Sequence, residues 1–366
     1  MKIAIIETAH FQYVITQSEI FADCEIRYIT TAEIQSQMID YSSEMPMNKF
    51  DIITSIQNDQ QKIISIIENE SIDLVLISPL FDSYHAMHKI VKRLKCIKVL
   101  TTHNINTWFN GRFWSPNSFK DRINMRGIIK HSDYICVEDF IYNHLKNTNH
   151  KYYQDNQFLY IPFTIFNESK PPKYARKDDR LKVVLTGQLD GDRRRYEEVL
   201  EVIELFKEQS SEVHFSFAGR AKGAYGESIK EKLIAYQENH PELVAFFNDD
   251  STADMFRREM ETSDIVLSTS TKTFKGMGTR EYIGKTKPTA AIHDMMSYEL
   301  PGLLPEHLIT PANLIGSVFN YNSVQELTKI INSLLDDPSL LEKWKVQAKI
   351  NSLKFTAKEI RKGLPF

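Results

Sequence analysis

Short apolar runs, each followed by a segment with helical spacing, constrain this chain more than any other feature, and they come in two series. In the first, Ile3 to Ile6, Glu25 to Ile29, Leu74 to Ile77, Lys98 to Thr101, Tyr134 to Val137 and Phe158 to Ile161 read as strands. Between them, Gln60 to Glu68 and Tyr84 to Leu94 place apolar residues at helical spacing. Periodicity fails from Asn167 to Lys173, where Pro171 and Pro172 sit among charged neighbours, a linker signal. The second series opens with Leu181 to Leu185. It continues through Val213 to Ala218, Val244 to Phe247, Asp264 to Ser268, Thr289 to Ile292 and Leu308 to Ile309. Strands that alternate with helices pair in parallel and form layered sheets, whose ligands collect at the carboxyl ends of the strands. The expected fold is α/β, with Rossmann-like domains over residues 1–170 and 181–349 and a charged helical segment, 350–366, after them. A length of 366 residues suits two cores better than one.

Composition narrows the function. A formal net charge of −3 gives no global electrostatic reason to bind nucleic acid. Cys24, Cys96 and Cys136 are odd in number and scattered, which fits a reducing compartment better than a disulfide framework or a zinc site. The apolar opening Lys2 to Ile6 meets Glu7 at once, so no export signal is expected, and no run approaches the roughly 20 apolar residues of a membrane span. The expected location is cytoplasmic, with room for attachment to the inner face of a membrane.

The most informative segment runs from Asp264 to Pro288. It reads as a buried strand ending in Ser268-Thr269-Ser270, a loop Lys275-Gly276-Met277-Gly278-Thr279, a short helix beginning near Glu281, and a proline leading into another strand. A helix N-terminus offers unpaired N–H groups and partial positive charge to an anion. Glu281, seven residues before Pro288, offers two acceptor oxygens suited to a pair of ribose hydroxyls.

This order and spacing, over residues 181–295, resembles the donor-binding half of GT-B glycosyltransferases, the GT4-like family in particular. The resemblance implies two Rossmann-like domains facing each other across a cleft, with a final helix crossing back to the first domain. It implies a nucleotide-sugar donor as co-substrate, no other cofactor, no metal, and retention at the transferred carbon. It places Gly187, Arg193 and Arg194 after the first strand of the second domain, and Gly219 and Arg220 after the next, against the donor phosphates. Lys275, Gly276, Met277, Gly278 and Thr279 would line donor sugar or phosphate, and Glu281 would hold the ribose. The segment Phe246 to Asp250 would flank the base. Gln188 stands where the family often has Arg, and Lys275 where it often has Glu. Asp190-Gly191-Asp192 sits in a glycine turn and reads as turn chemistry rather than a metal motif.

In the first domain, His103 and Asn104 follow a strand and resemble the His-Asn segment that the family points into the cleft. Glu7 and His10 lie at the end of the first strand, where the family's glycine-rich loop is missing, and are read as base or acceptor contacts. Aromatics and cations from Trp108 to Lys130, with the basic stretch His88 to Lys95, suit an anionic membrane surface or a lipid-phosphate acceptor. Together these readings describe a glycosyltransferase acting on a glycan, glycolipid or protein hydroxyl, in surface polysaccharide or glycoconjugate synthesis. The alternatives are a non-catalytic partner subunit of the same fold, or a nucleotide-sugar epimerase or polyol-phosphate transferase built on it.

Overall fold

The computed structural model describes residues 1–41, 49–110, 116–148, 151–154, 157–176, 178–209, 212–247, 252–276 and 279–366. The first series of strands is β1 (Lys2–Glu7), β2 (Glu25–Thr30), β3 (Phe50–Ile52), β4 (Leu74–Ile77), β5 (Ile97–Thr101), β6 (Tyr134–Val137) and β7 (Phe158–Tyr160). The second is β8 (Leu181–Thr186), β9 (Val213–Ala218), β10 (Val244–Phe247), β11 (Ile265–Leu267), β12 (Thr273–Gly276), β13 (Thr279–Tyr282), β14 (Gly302–Pro305) and β15 (Val318–Tyr321). Ile3, Ala4, Ile5 and Ile6 are all buried, as they are in a parallel strand covered on both faces.

The first sheet has the order β3-β2-β1-β4-β5-β6-β7, and the second β10-β9-β8-β11-β14-β15. All pairings within both sheets are parallel. Each order reverses once, between β1 and β4 and between β8 and β11. A doubly wound sheet opens a crevice for ligand at that reversal, beyond the strand ends. The two-sheet α/β expectation therefore holds.

Three local expectations do not. Thr289 to Ile292 is not a strand, because the helix Ala290–Tyr298 starts there and the strand follows at β14, after Pro301. Leu308 and Ile309 lie outside any strand, while β3 and β15 were not anticipated. Around Glu281 there is no helix. β12 and β13 form an antiparallel hairpin with Phe274 opposite Glu281, and burial alternates along Thr279–Tyr282, the two-residue period of a strand.

That hairpin joins the domains. The first N–H groups of a helix lack partners within it, and those of Ile105–Asn110 find them in the other domain. Ile105 N donates to Thr286 O at 3.0 Å. Asn106 N donates to Glu281 Oε2 at 3.1 Å, and Thr107 N to Glu281 Oε1 at 2.7 Å. Thr107 Oγ1 and Thr286 Oγ1 add bonds of 2.8 and 2.7 Å to the same carboxylate. Arg122 bridges Thr107 O, at 2.9 Å, and Thr279 Oγ1, at 3.2 Å. Burial pushes the Glu281 carboxyl up, against the pull of these hydrogen bonds.

A second contact lies under the helix Ala290–Tyr298, whose Ile292, Met295 and Met296 share one apolar cluster with the first sheet. His293 Nε2 lies 3.2 Å from Glu138 Oε2, and Asn313 Nδ2 donates to Asp139 Oδ2 at 2.9 Å. Asn351 and Lys354 still bond the second domain, and from Phe355, whose O accepts from Phe166 N at 3.0 Å, the chain lies on the first. Arg361 sits 3.5 Å from Asp23 and over the Phe21 ring, and Phe366 packs on Phe21 and Tyr134.

Glu281→Ala leaves two backbone donors and two hydroxyls without their acceptor. The expected loss is about 3–5 kcal/mol by urea denaturation, with Glu281→Gln intermediate; equal stability of Glu281→Ala and the parent would contradict the clasp. The second contact titrates. Burial raises Asp139 from 3.8 to about 6. Burial pulls His293 down, but the Glu138 carboxylate more than offsets it, so His293 is raised. Both groups hold a proton more tightly when folded, so their contribution is full in acid and lost as pH rises, for Asp139 between 3.8 and about 6. Stability should therefore fall between pH 4 and pH 7, and fall less in Asp139→Asn; identical pH profiles of melting temperature would exclude this linkage.

Candidate functional site

The two strand-order reversals face one cleft. On the first-domain side, Glu7 closes β1 and is 2% exposed. Its Oε1 accepts the N–H groups of Thr8 and Ala9, at 2.7 and 2.5 Å, in the turn before the helix Phe11–Ile20. Its Oε2 lies 3.7 Å from His10 Nδ1. The His10 ring meets Phe81 at 5.2 Å, Phe163 at 5.6 Å and His103 at 5.7 Å. Phe163 lies flat on Tyr13 and stacks on His293, so rings from both domains make one floor. Burial, then the nearby His10, Lys287 and His293, holds His103 well below the usual imidazole range and keeps it neutral. Asn104 Oδ1 accepts from Lys287 Nζ at 2.9 Å across the cleft.

On the second-domain side, β8 ends in Thr186 and Gly187. Gly187 has φ +87, and a side chain there would sit 2.2 Å from the Arg194 guanidinium. At Gly219 a Cβ would lie 1.9 Å from Gly187 O, so the two loops pack too closely for a side chain there. Arg194 donates to Gln188 O at 2.7 Å, and its backbone forms an isolated antiparallel bridge with Ser270, three residues beyond β11. Arg193 sits over the Phe274 ring at 4.7 Å, 3.6 Å from Asp190. Asp190 serves its own turn, accepting from Asp192 N at 2.9 Å and pairing with Lys222 at 3.2 Å. Lys287 Nζ lies 5.0 Å from the Phe274 ring centre, and burial, with Arg193 beside it, brings its pKa down to about 8.

Directly beyond Lys287 comes the N-terminus of the helix Ala290–Tyr298, with Ala290 exposed. One turn in stands Asp294, absent from the sequence reading. Its Oδ2 accepts from Thr186 Oγ1 at 2.6 Å. Burial raises its carboxyl, opposed by Thr186, His293 and Arg194. Asp294 is also seven residues before a proline, Pro301, and this proline does lead into a strand. The spacing that drew attention to Glu281 thus occurs twice. Glu299 hides the second occurrence, since it holds the left-handed position after the helix, φ 55, where glycine is usual.

The cleft therefore gathers His10, His103, Asn104, Gly187, Arg193 and Arg194, and adds Lys287 and Asp294. Arg220 is exposed, and Lys275 and Gly276 lie on β12. Thr279 and Glu281 are committed to the domain joint, which corrects the placement of Glu281 at a helix start. Met277, Gly278 and the segment Asn248–Asp250 lie outside the described residues.

No family model and no curated protein matches the sequence. Solved structures do match in fold. HepE of Anabaena in complex with UDP is 14% identical with TM-score 0.65, covering 99% of this chain and 98% of its own. Sucrose-phosphate synthase from Thermosynechococcus elongatus is 12% identical with TM-score 0.62, over 99% and 96%. A UDP-N-acetylglucosamine 2-epimerase of Listeria monocytogenes, so described provisionally, is 13% identical with TM-score 0.58, over 94% and 90%. Two parallel sheets closing on one cleft, superposable on these structures over nearly the full chain, make this a GT-B fold.

Proposed function

We propose that the chain is a glycosyltransferase that moves a sugar from a nucleoside diphosphate sugar to a hydroxyl acceptor. The observation that carries this reading is the grouping at the β8–β11 reversal. An open helix N-terminus, Lys287, Arg193 and Arg194 surround one edge, and Asp294 stands a turn inside it. N–H groups and cations suit a diphosphate. A carboxylate beside them suits two ribose hydroxyls, so Asp294 takes the role expected of Glu281. The same charges stabilise the departing diphosphate, and the proposed reaction proceeds without a metal. HepE in complex with UDP and with UDP-glucose makes uridine diphosphate the first ligand to try.

The acceptor approaches from the first domain, past His10 and His103. The helix Pro116–His131 turns Phe119 and Ile123 outward beside exposed Lys120, Arg126 and Lys130. That face suits an anionic membrane, and a glycolipid or growing surface glycan held there is the proposed acceptor. No helix among the described residues is long and apolar enough to cross a membrane. The epimerase among the similar structures supports a second reading, in which the nucleotide sugar is isomerised without an acceptor. Conversion of UDP-N-acetylglucosamine to its 2-epimer, followed by NMR, would favour it.

UDP should raise the melting temperature with or without EDTA, by the mass-action stabilisation that any ligand of the native state gives. Asp294→Ala should weaken UDP by about tenfold or more, one charge-assisted hydrogen bond's worth. Undiminished affinity in that variant removes Asp294 from the ribose. A pH dependence follows as well. Lys287, with its pKa at about 8, loses its charge above that pH, so UDP affinity should fall between pH 7 and pH 9. Calorimetry on Lys287→Met should show the fall flattened; the same fall in that variant assigns it to another group.

A further inference from the structure

The first-domain side of the cleft holds polar capacity that the chain does not use. Glu7 Oε2 and His10 Nδ1 are both buried and without a hydrogen-bond partner, though 3.7 Å apart. Ser78, the residue after β4, is 2% exposed and its hydroxyl is likewise unpartnered. A buried polar atom left so costs about 1–3 kcal/mol. Three of them at adjoining strand ends, beside the β1–β4 reversal, mark a site that is completed by something else. The His10 side chain is 25% exposed while its Nδ1 is covered, which leaves Nε2 as the ring nitrogen that meets the cleft. Phe81, Phe163 and His103 hold the ring from three directions.

We propose that Glu7 and His10 act as a carboxylate–imidazole base for the acceptor hydroxyl, so that transfer inverts the sugar's anomeric configuration. This rests on the transferase reading above and departs from the retention that the sequence resemblance implies. Glu7 is the positioning residue. Its carboxylate selects the tautomer with a proton on Nδ1, leaving Nε2 as the acceptor of a proton. The acceptor oxygen forms its bond to the anomeric carbon as its proton passes to His10 Nε2. The bond from that carbon to the β-phosphate oxygen breaks, and its electron pair leaves with the nucleoside diphosphate. The resulting imidazolium pairs with Glu7, and the separation of 3.7 Å closes to a hydrogen bond at that moment. His103, held neutral by burial, adds no positive charge that would oppose protonation of His10.

The test follows the protein with UDP-glucose and UDP-N-acetylglucosamine in turn, with water as acceptor, by proton NMR before mutarotation sets in. The β anomer should appear first from these α-linked donors. His10→Ala should slow release by about 100-fold or more, with UDP affinity intact and part of the rate restored by added imidazole. Glu7→Gln keeps an oxygen for Thr8 and Ala9 N–H but donates to His10 Nδ1 and fixes the other tautomer. It should lose about tenfold or more in rate at unchanged melting temperature and UDP affinity. The α anomer appearing first, or an unaltered rate in His10→Ala, overturns the base while leaving the transferase reading in place. UDP binding without release or transfer from either donor overturns both.

Discussion

The carboxylate of Glu281 sets how the two domains meet. It reaches out of a hairpin in the second domain and terminates a helix of the first, taking the N–H groups of Asn106 and Thr107 and two hydroxyls. A charged acceptor this deeply buried is stable only with all its bonds made, so the hairpin and the helix Ile105–Asn110 must move together or not at all. Asn104 immediately precedes that helix, and Lys287 immediately follows Thr286, which bonds the same carboxylate. The clasp therefore fixes the spacing across which Lys287 and Asn104 touch, and with it the mouth of the cleft.

Three histidines share this cleft and are set apart by what surrounds them. His293 faces the Glu138 carboxylate and is raised, whereas His103 is pulled down by burial and then by His10, Lys287 and His293. His10 lies against Glu7 with one nitrogen covered and the other turned to the opening. Three imidazoles in one region are thus set apart by burial and by the charge each one faces.

Much of the fold was legible in the sequence because parallel strands are covered on both faces. Ile3 to Ile6 and Leu74 to Ile77 are continuous apolar runs, and both are strands in the structure. β3 escaped notice because it is a three-residue, half-buried strand at the sheet edge. The hairpin was misread because four residues of Thr-Arg-Glu-Tyr carry too short a pattern to separate a period of two from one of 3.6. The site was less legible still. The seven-residue spacing from an acid to a proline is present twice, and only the strand after Pro301 sets the second copy apart from the first. Glu299 holds the left-handed position before that proline, and such a backbone cannot be read from a glutamate side chain. Burial of Glu281 is equally invisible in sequence, since its first-domain partners lie 174 and 175 residues away.

Location of the ribose in a crystal structure of the complex with UDP is the most direct test of this account. The expected result places both ribose hydroxyls on the Asp294 carboxylate, the diphosphate at the start of the helix Ala290–Tyr298, and Glu281 still bonded to Asn106 and Thr107. A ribose bound to Glu281, with the helix Ile105–Asn110 released from it, would contradict the account at its centre.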